Sequence, residues 1–212
     1  MPTISIFKKI YFFSRNQIKS GLERIRTINR RKKTIALRNL GHSDLKRWEN
    51  LQELDASWDE RTFMMASLIE PNSKVIEFGA GKMSLKSRLP ENCTYQASDL
   101  IARHPGVIEC DLNQNIQIDL SKYNTAVFSG VLEYVYDIEK VILKMSYHIE
   151  NIVLSYACSD ISNAPRLDRG WLSDYPKKEL EKMFDKYNYK ILEYKEWRNQ
   201  SIFSLQSKLD KK

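Results

Sequence analysis

Apolar positions along this chain change their spacing partway through. Over the first fifty residues they recur at helical intervals: Ile4, Phe7, Ile10 and Tyr11, then Leu22, Ile25 and Ile28. A side chain returns to the same helix face every three or four residues, so this stretch reads as mostly helical. Gly41-His42-Ser43 marks a break. A second amphipathic stretch follows, in which Leu45, Trp48, Leu51 and Leu54 sit three residues apart. A further helix is expected from Asp59 to Ile69, ended by Pro71-Asn72.

From Lys74 onward short apolar runs take over. Val75-Ile76 ends at Glu77, Tyr95-Gln96-Ala97 at Asp99, and Val107-Ile108 near Asp111. Ala126-Val127-Phe128 and Asn151-Ile152-Val153-Leu154 continue the series, and Val135 to His148 reads as a helix between them. Strands separated by helical patterns predict βαβ units and a parallel sheet covered on both faces. Pro176 fits as a first helical residue, with Leu180, Met183, Phe184 and Tyr187 on one face. Two β-like runs close the chain, Tyr189 to Trp197 and Ser201 to Leu205, with only Arg198-Asn199-Gln200 between them. A link that short cannot hold a crossover helix, so the pair must be antiparallel.

Composition narrows the class. At 212 residues, 42% hydrophobic and 29% charged, the chain excludes wholesale disorder. It has no apolar run long enough to span a bilayer and no secretory signal pattern. Cys93, Cys110 and Cys158 lie far apart with no CxxC pair, which argues against a disulfide framework or a thiolate zinc site and for a reducing, cytoplasmic setting. The net charge of +7 is unevenly placed: residues 1–50 carry +10 and the remainder −3. The expected organisation is a basic helical arm over residues 1–54 and a nearly neutral folded body over 55–212. That split disfavours a uniformly basic nucleic-acid-binding domain.

Candidate chemistry begins where the first strand runs into Glu77-Phe78-Gly79-Ala80-Gly81-Lys82. Glycines at 79 and 81 let the backbone turn tightly and approach a ligand closely. Asp99 lies 18 residues beyond the second glycine, near the spacing at which a carboxylate reaches ribose hydroxyls in a nucleotide-binding βαβ unit. Asp111 ends the third expected strand, placed to accept from an adenine amino group with Leu112 against the ring. Acids at successive strand ends fall on the rim where open α/β sheets bind ligands.

The segments Val75 to Gly81, Asp99, Asp111-Leu112 and Phe128-Ser129-Gly130-Val131-Leu132-Glu133-Tyr134 together resemble the class I S-adenosylmethionine-dependent methyltransferases. The resemblance covers about residues 55–207. It implies an α/β fold with a Rossmann-like, mostly parallel seven-stranded sheet and a C-terminal antiparallel hairpin. It also implies S-adenosylmethionine as cofactor. Glu77 would help hold the methionine amino group, while Gly79, Ala80 and Gly81 pass beneath the methionine and ribose. Asp99 would take the ribose hydroxyls, Asp111 and Leu112 the adenine, and Ser129 with Gly130 would lie beside the sulfonium. Trp58 and Arg61 resemble a lid over the cofactor. One departure is Met83, where a small residue is often seen after the glycine turn.

Two other readings stand beside it. A nicotinamide-dependent oxidoreductase would accept Ser84 at the third glycine position, but Glu77 would put a carboxylate where a pyrophosphate must sit. A non-catalytic methyltransferase-like adaptor is the other.

Methyl transfer demands proximity and orientation, and an oxygen acceptor also benefits from a base. Glu133, Tyr134 and His104 are the candidate catalytic residues; no metal is expected. The loop from Tyr156 to Tyr175 carries Asp160, Arg166, Asp168, Arg169 and Trp171, a composition suited to a hydroxyl-rich acceptor. The expected reaction is O-methylation of a small molecule or a sugar or glycan. The arm adds Ile6, Phe12 and Phe13 to its apolar face and Lys8, Lys9, Arg15 and Lys19 around it. That pattern predicts peripheral contact of residues 1–40 with the inner face of a membrane.

Overall fold

The computed structural model describes the backbone of residues 3–209 and the side chains of residues 21–209. The arm is a single helix, α1 (Thr3–Leu40), 38 residues and about 57 Å long at 1.5 Å per residue. It ends where Gly41 adopts φ 66° and the His42 amide reaches back to the Leu37 carbonyl at 3.0 Å. The side chains that the sequence singles out between Ile4 and Lys19 lie outside the described residues. No described helix is long and apolar enough to cross a membrane.

The second amphipathic stretch is not one helix. It forms α2 (Leu45–Trp48) and then 3₁₀ turns at Leu51–Glu53 and Ala56–Trp58. Asp44, Asn50 and Asp55 each accept a hydrogen bond from a nearby backbone amide, those of Arg47, Gln52 and Ser57. Such local bonds compete with a continuous helical ladder and break it into short turns. The next helix, α3 (Asp59–Ala66), stops short of Ile69 because the Leu68 and Ile69 amides bond carbonyls only three residues back.

Seven strands form one sheet: β1 (Lys74–Phe78), β2 (Thr94–Asp99), β3 (Ile108–Glu109), β4 (Thr125–Phe128), β5 (Asn151–Tyr156), β6 (Tyr189–Trp197) and β7 (Gln200–Ser207). Their order is β3-β2-β1-β4-β5-β7-β6. The first five are parallel, and β7 runs antiparallel to both β5 and β6. The final turn is tighter than the sequence predicts, because Gln200 joins β7. Arg198 and Asn199 make it alone with φ 43° and 61°, matching the twist of a two-residue hairpin.

The predicted alternation of strand and helix is thinner than expected. One crossover, from β4 to β5, carries a full helix, α4 (Ile138–Ser146), capped by Asp137. The β1–β2 link holds only a 3₁₀ helix at Ser84–Arg88, and the β3–β4 link one at Leu120–Lys122. After β5 come α5 (Arg166–Arg169) and α6 (Lys177–Lys186), with Pro176 at the cap just before α6. Alternate residues of β1 still serve two cores. Ile76 and Phe78 face α4 and α6, where Phe78 stacks on Phe128 at 5.0 Å; Val75 faces α3 with Met65, Val127 and Val153.

The chain leaves β1 in one direction toward β3 and then returns across it to β4. The carboxyl ends of β1 and β4 are therefore the point where strand order reverses, and a crevice opens there. Helix α1 packs against α5, with Thr34 buried at the contact.

Candidate active site

The crevice encloses about 980 Å³ of space between its walls, part of it open to solvent. It brings together the cofactor positions expected from the sequence. Glu77, Gly79, Ala80 and Gly81 form its floor, with Asp99, Asp111, Leu112 and Ser129 around it. Gly79 and Gly81 have φ 70° and 53°. A Cβ on Gly79 would come within 1.9 Å of Val131 Cγ2, so this position admits no side chain while the loop after β4 stays in place.

Asp99 is held in a definite orientation. The Gly81 amide donates to its Oδ2 at 2.7 Å, and the Ile101 amide and Arg103 Nη1 both donate to its Oδ1 at 3.1 Å. Three of the four lone-pair sites of this carboxylate are thus in use. The Arg103 guanidinium also donates to the Trp48 carbonyl, tying residues before the first strand to this corner.

Beneath the turn, Glu77 is 2% exposed and accepts from Tyr95 Oη at 2.5 Å. Burial pushes its carboxyl up to about 8, against the opposing pull of the Tyr95 bond and with help from the nearby Asp99 charge. A buried, largely uncharged carboxyl lining the crevice is primed to ionise when a cation arrives.

Asp111 accepts from Ser43 Oγ at 2.6 Å and from the Asn113 amide at 2.9 Å. Asn113 in turn donates to Ser43 Oγ and to the Tyr134 carbonyl, joining the segment after α1 to the loop after β4. Trp48 meets the Tyr134 ring edge-on at 4.8 Å. On the opposite wall Arg61 donates to Ser129 Oγ at 3.3 Å, to the Ser129 carbonyl at 3.2 Å and to Gln200 Oε1 at 2.7 Å. Gly130, at φ 66°, lies directly under the Arg61 guanidinium, which a Cβ would meet at 2.4 Å. Trp58 and Arg61 both line the crevice.

The three candidate catalytic residues part company. Tyr134 lines the crevice. Glu133 does not; it lines a second cavity beside it. Its Oε1 accepts from the Ala157 amide at 2.8 Å, while Oε2 is buried without a hydrogen-bond partner. Burial raises the Glu133 carboxyl, opposed by the charge of Arg61. His104 is exposed on the loop after β2 and is not among the residues lining the crevice.

The loop after β5 divides between scaffold and lining. Arg166 donates to the Ser173 and Ala157 carbonyls and to Tyr156 Oη, and Asp160 caps α6 through the Lys177 amide. These residues hold the loop's shape. Arg169 and Trp171 line the second cavity. Sequence reasoning missed Ser43, Trp48, Tyr95, Arg103 and Asn113. Only Arg103, four residues after Asp99, left a spacing that hinted at its pairing; the rest are joined through the fold.

No protein-family model matches the chain, and no curated protein matches it in sequence. Solved structures do. The 1,6-didemethyltoxoflavin N1-methyltransferase of Burkholderia thailandensis is similar at TM-score 0.56 and 10% identity, covering 84% of this chain and 86% of that one. An O-methyltransferase of neocarzinostatin biosynthesis is similar at 0.52 and 13%, covering 72% of this chain and 57% of that longer one. The cyclase SpnF is similar at 0.56 and 9%, covering 70% and 80%. Strand order, the terminal hairpin and these likenesses agree: the chain has the fold of the class I S-adenosylmethionine-dependent methyltransferases.

Proposed function

We propose that this protein is an S-adenosylmethionine-dependent methyltransferase that methylates an oxygen of a small-molecule, sugar or glycan acceptor. The observation that carries the reading is the meeting of the Gly79–Gly81 turn, Asp99 and Asp111 in one crevice over buried Glu77. Fold alone would not carry it, because a cyclase shares the architecture. The similar structures support the cofactor: one was solved with S-adenosylhomocysteine and another with S-adenosylmethionine bound.

The residues present fit that cofactor. Glu77 suits an ammonium group and opposes a pyrophosphate, which weighs against a nicotinamide cofactor. Asp99 has one lone-pair site free, so a ribose diol would share or displace the Arg103 contact. Asp111 and Leu112 offer an acceptor and an apolar surface to an adenine. The cofactor, when bound, supplies an electrophilic methyl group. Gly130 and Tyr134 line both the crevice and the second cavity, and Ser129 lines the crevice beside them. Glu133 lines the second cavity, and a buried carboxyl of raised pKa with one unpartnered oxygen suits removal of a hydroxyl proton.

The same reading sets the enzyme in the cytoplasm, in peripheral contact with the inner face of a membrane through residues 1–40. Leu22, Ile25 and Ile28 are exposed on α1, and Ile25 lies nine residues before buried Thr34, half a turn away round the helix. The apolar stripe thus faces away from the body, with Arg24, Arg26 and Arg31 beside it.

Calorimetric titration with S-adenosylhomocysteine tests the cofactor. Saturable one-site binding is expected, and absence of binding would favour the adaptor reading.

A further inference from the structure

The second cavity spans about 1110 Å³, part of it open to solvent, and shares Trp58, Arg61, Gly130 and Tyr134 with the cofactor crevice. Its charges are one-sided. Arg30, Arg47, Arg61, Arg169 and Arg198 line it against a single carboxyl, that of Glu133. These five guanidinium groups come from α1, α2, α3, α5 and the β6–β7 turn, so no charge run in the sequence announces them.

Their counter-charges are too few. Glu53 serves both Arg30, at 3.4 Å, and Arg47, at 2.9 Å; Glu60 serves Arg198 at 3.2 Å. Among the described residues no carboxylate lies within ion-pair distance of Arg61 or Arg169. With Glu53, Glu60 and Glu133 all ionised, two of the five cations remain unmatched. Arg47 is also held in place. It donates to Glu53 and to the Arg169 carbonyl, and its guanidinium lies over the rings of Trp48 at 4.7 Å and Tyr134 at 5.2 Å. A guanidinium fixed this way offers its remaining donors with little ordering left to do.

We propose that this cavity is the acceptor site and that it selects acceptors carrying a carboxylate or phosphate group, received by Arg169, Arg47 and Arg30. Arg61 faces both cavities and is not assigned to this task; the other three line only the second. Planar forks of N–H donors match both anions in geometry and charge. Trp171 and Tyr134 supply flat apolar surface for the rest of the molecule. Naming the occupant as the acceptor rests on the methyltransferase reading; the preference for an anion does not.

The test is calorimetric titration of the full-length protein, with and without S-adenosylhomocysteine, using glucuronate, glucose 6-phosphate and glucose. At least one charged sugar is expected to bind about tenfold or more tightly than glucose, the scale of a charge-assisted pair. Glucuronate alone would assign a carboxylate, glucose 6-phosphate alone a phosphate. Arg169→Gln and Arg30→Gln should each shrink the preference severalfold while S-adenosylhomocysteine affinity reports an intact fold. Glucose binding as tightly as both charged sugars, no binding by either of these, or an unchanged preference in both variants would overturn the proposal. A wild-type protein that keeps the anion preference but does not bind S-adenosylhomocysteine would contradict the methyltransferase reading alone.

Discussion

Tyr95 Oη and Glu77 Oε2 are 2.5 Å apart, on neighbouring strands beneath the glycine turn. The bond lets a carboxyl stay buried at the end of β1 without an ionic partner. Burial raises Glu77 to about 8, so at neutral pH the folded protein keeps a proton that an unfolded chain gives up near 4.5. A ligand ammonium at this point would reverse the preference. Binding of S-adenosylhomocysteine is therefore expected to release a proton and to tighten as pH rises from 6 toward 8. Calorimetry in buffers of different ionisation enthalpy measures that release, and Glu77→Gln should abolish it.

The same group sets a stability trend. Between pH 4.5 and about 8 the folded form binds more protons than the unfolded form, so stability falls as pH rises through that window. Thermal unfolding at pH 5.5 and pH 8 should show a decline in Tm that is smaller in Glu77→Gln. Glu133, raised in the same direction, keeps the decline from vanishing in that variant.

Asp99→Ala removes the acceptor proposed for the ribose hydroxyls and the partner of Arg103. Affinity for S-adenosylhomocysteine should fall by roughly 1.5–3 kcal/mol, the scale of charge-assisted hydrogen bonds. Unchanged affinity would remove Asp99 from the site.

Gly79→Ala places a methyl group on Val131 and strains a backbone at φ 70°. A loss of about 1–3 kcal/mol in unfolding free energy is expected. Adding Val131→Ala should recover part of it, as chemical denaturation of the single and double variants would show.

Membrane contact through α1 is checked by co-sedimentation with vesicles of phosphatidylglycerol and phosphatidylcholine. Replacing Leu22, Ile25 and Ile28 by Glu should abolish recovery in the anionic pellet, and salt should weaken it. Equal recovery of both proteins would contradict the contact.

Much of this architecture is legible in the chain because the signals are local. Val75-Ile76 and Ala126 to Phe128 are runs too short for anything but buried strands, and three residues between two β-like runs leave only a hairpin. Gly79 and Gly81 mark their own turn. What escaped is what the fold brings together from afar. Ser43 reaches Asp111 across 68 positions, and Arg103 reaches Trp48 across 55. The spacing of Leu45, Trp48, Leu51 and Leu54 reads as one amphipathic stretch, yet the Asp44, Asn50 and Asp55 side chains bond the backbone and cut it into turns. Glu133 stands beside Tyr134 in sequence, but across a 3₁₀ turn Tyr134 lines both cavities while Glu133 lines only the second.

The most direct measurement is transfer of a deuterated methyl group from labelled S-adenosylmethionine into host extract, followed by mass spectrometry of the products. Wild-type protein should yield a product heavier by one labelled methyl on oxygen. Glu133→Gln should lower its rate by about 100-fold or more with cofactor affinity nearly intact. Saturable cofactor binding with no labelled product in any extract would contradict methyl transfer and leave a cofactor-binding adaptor.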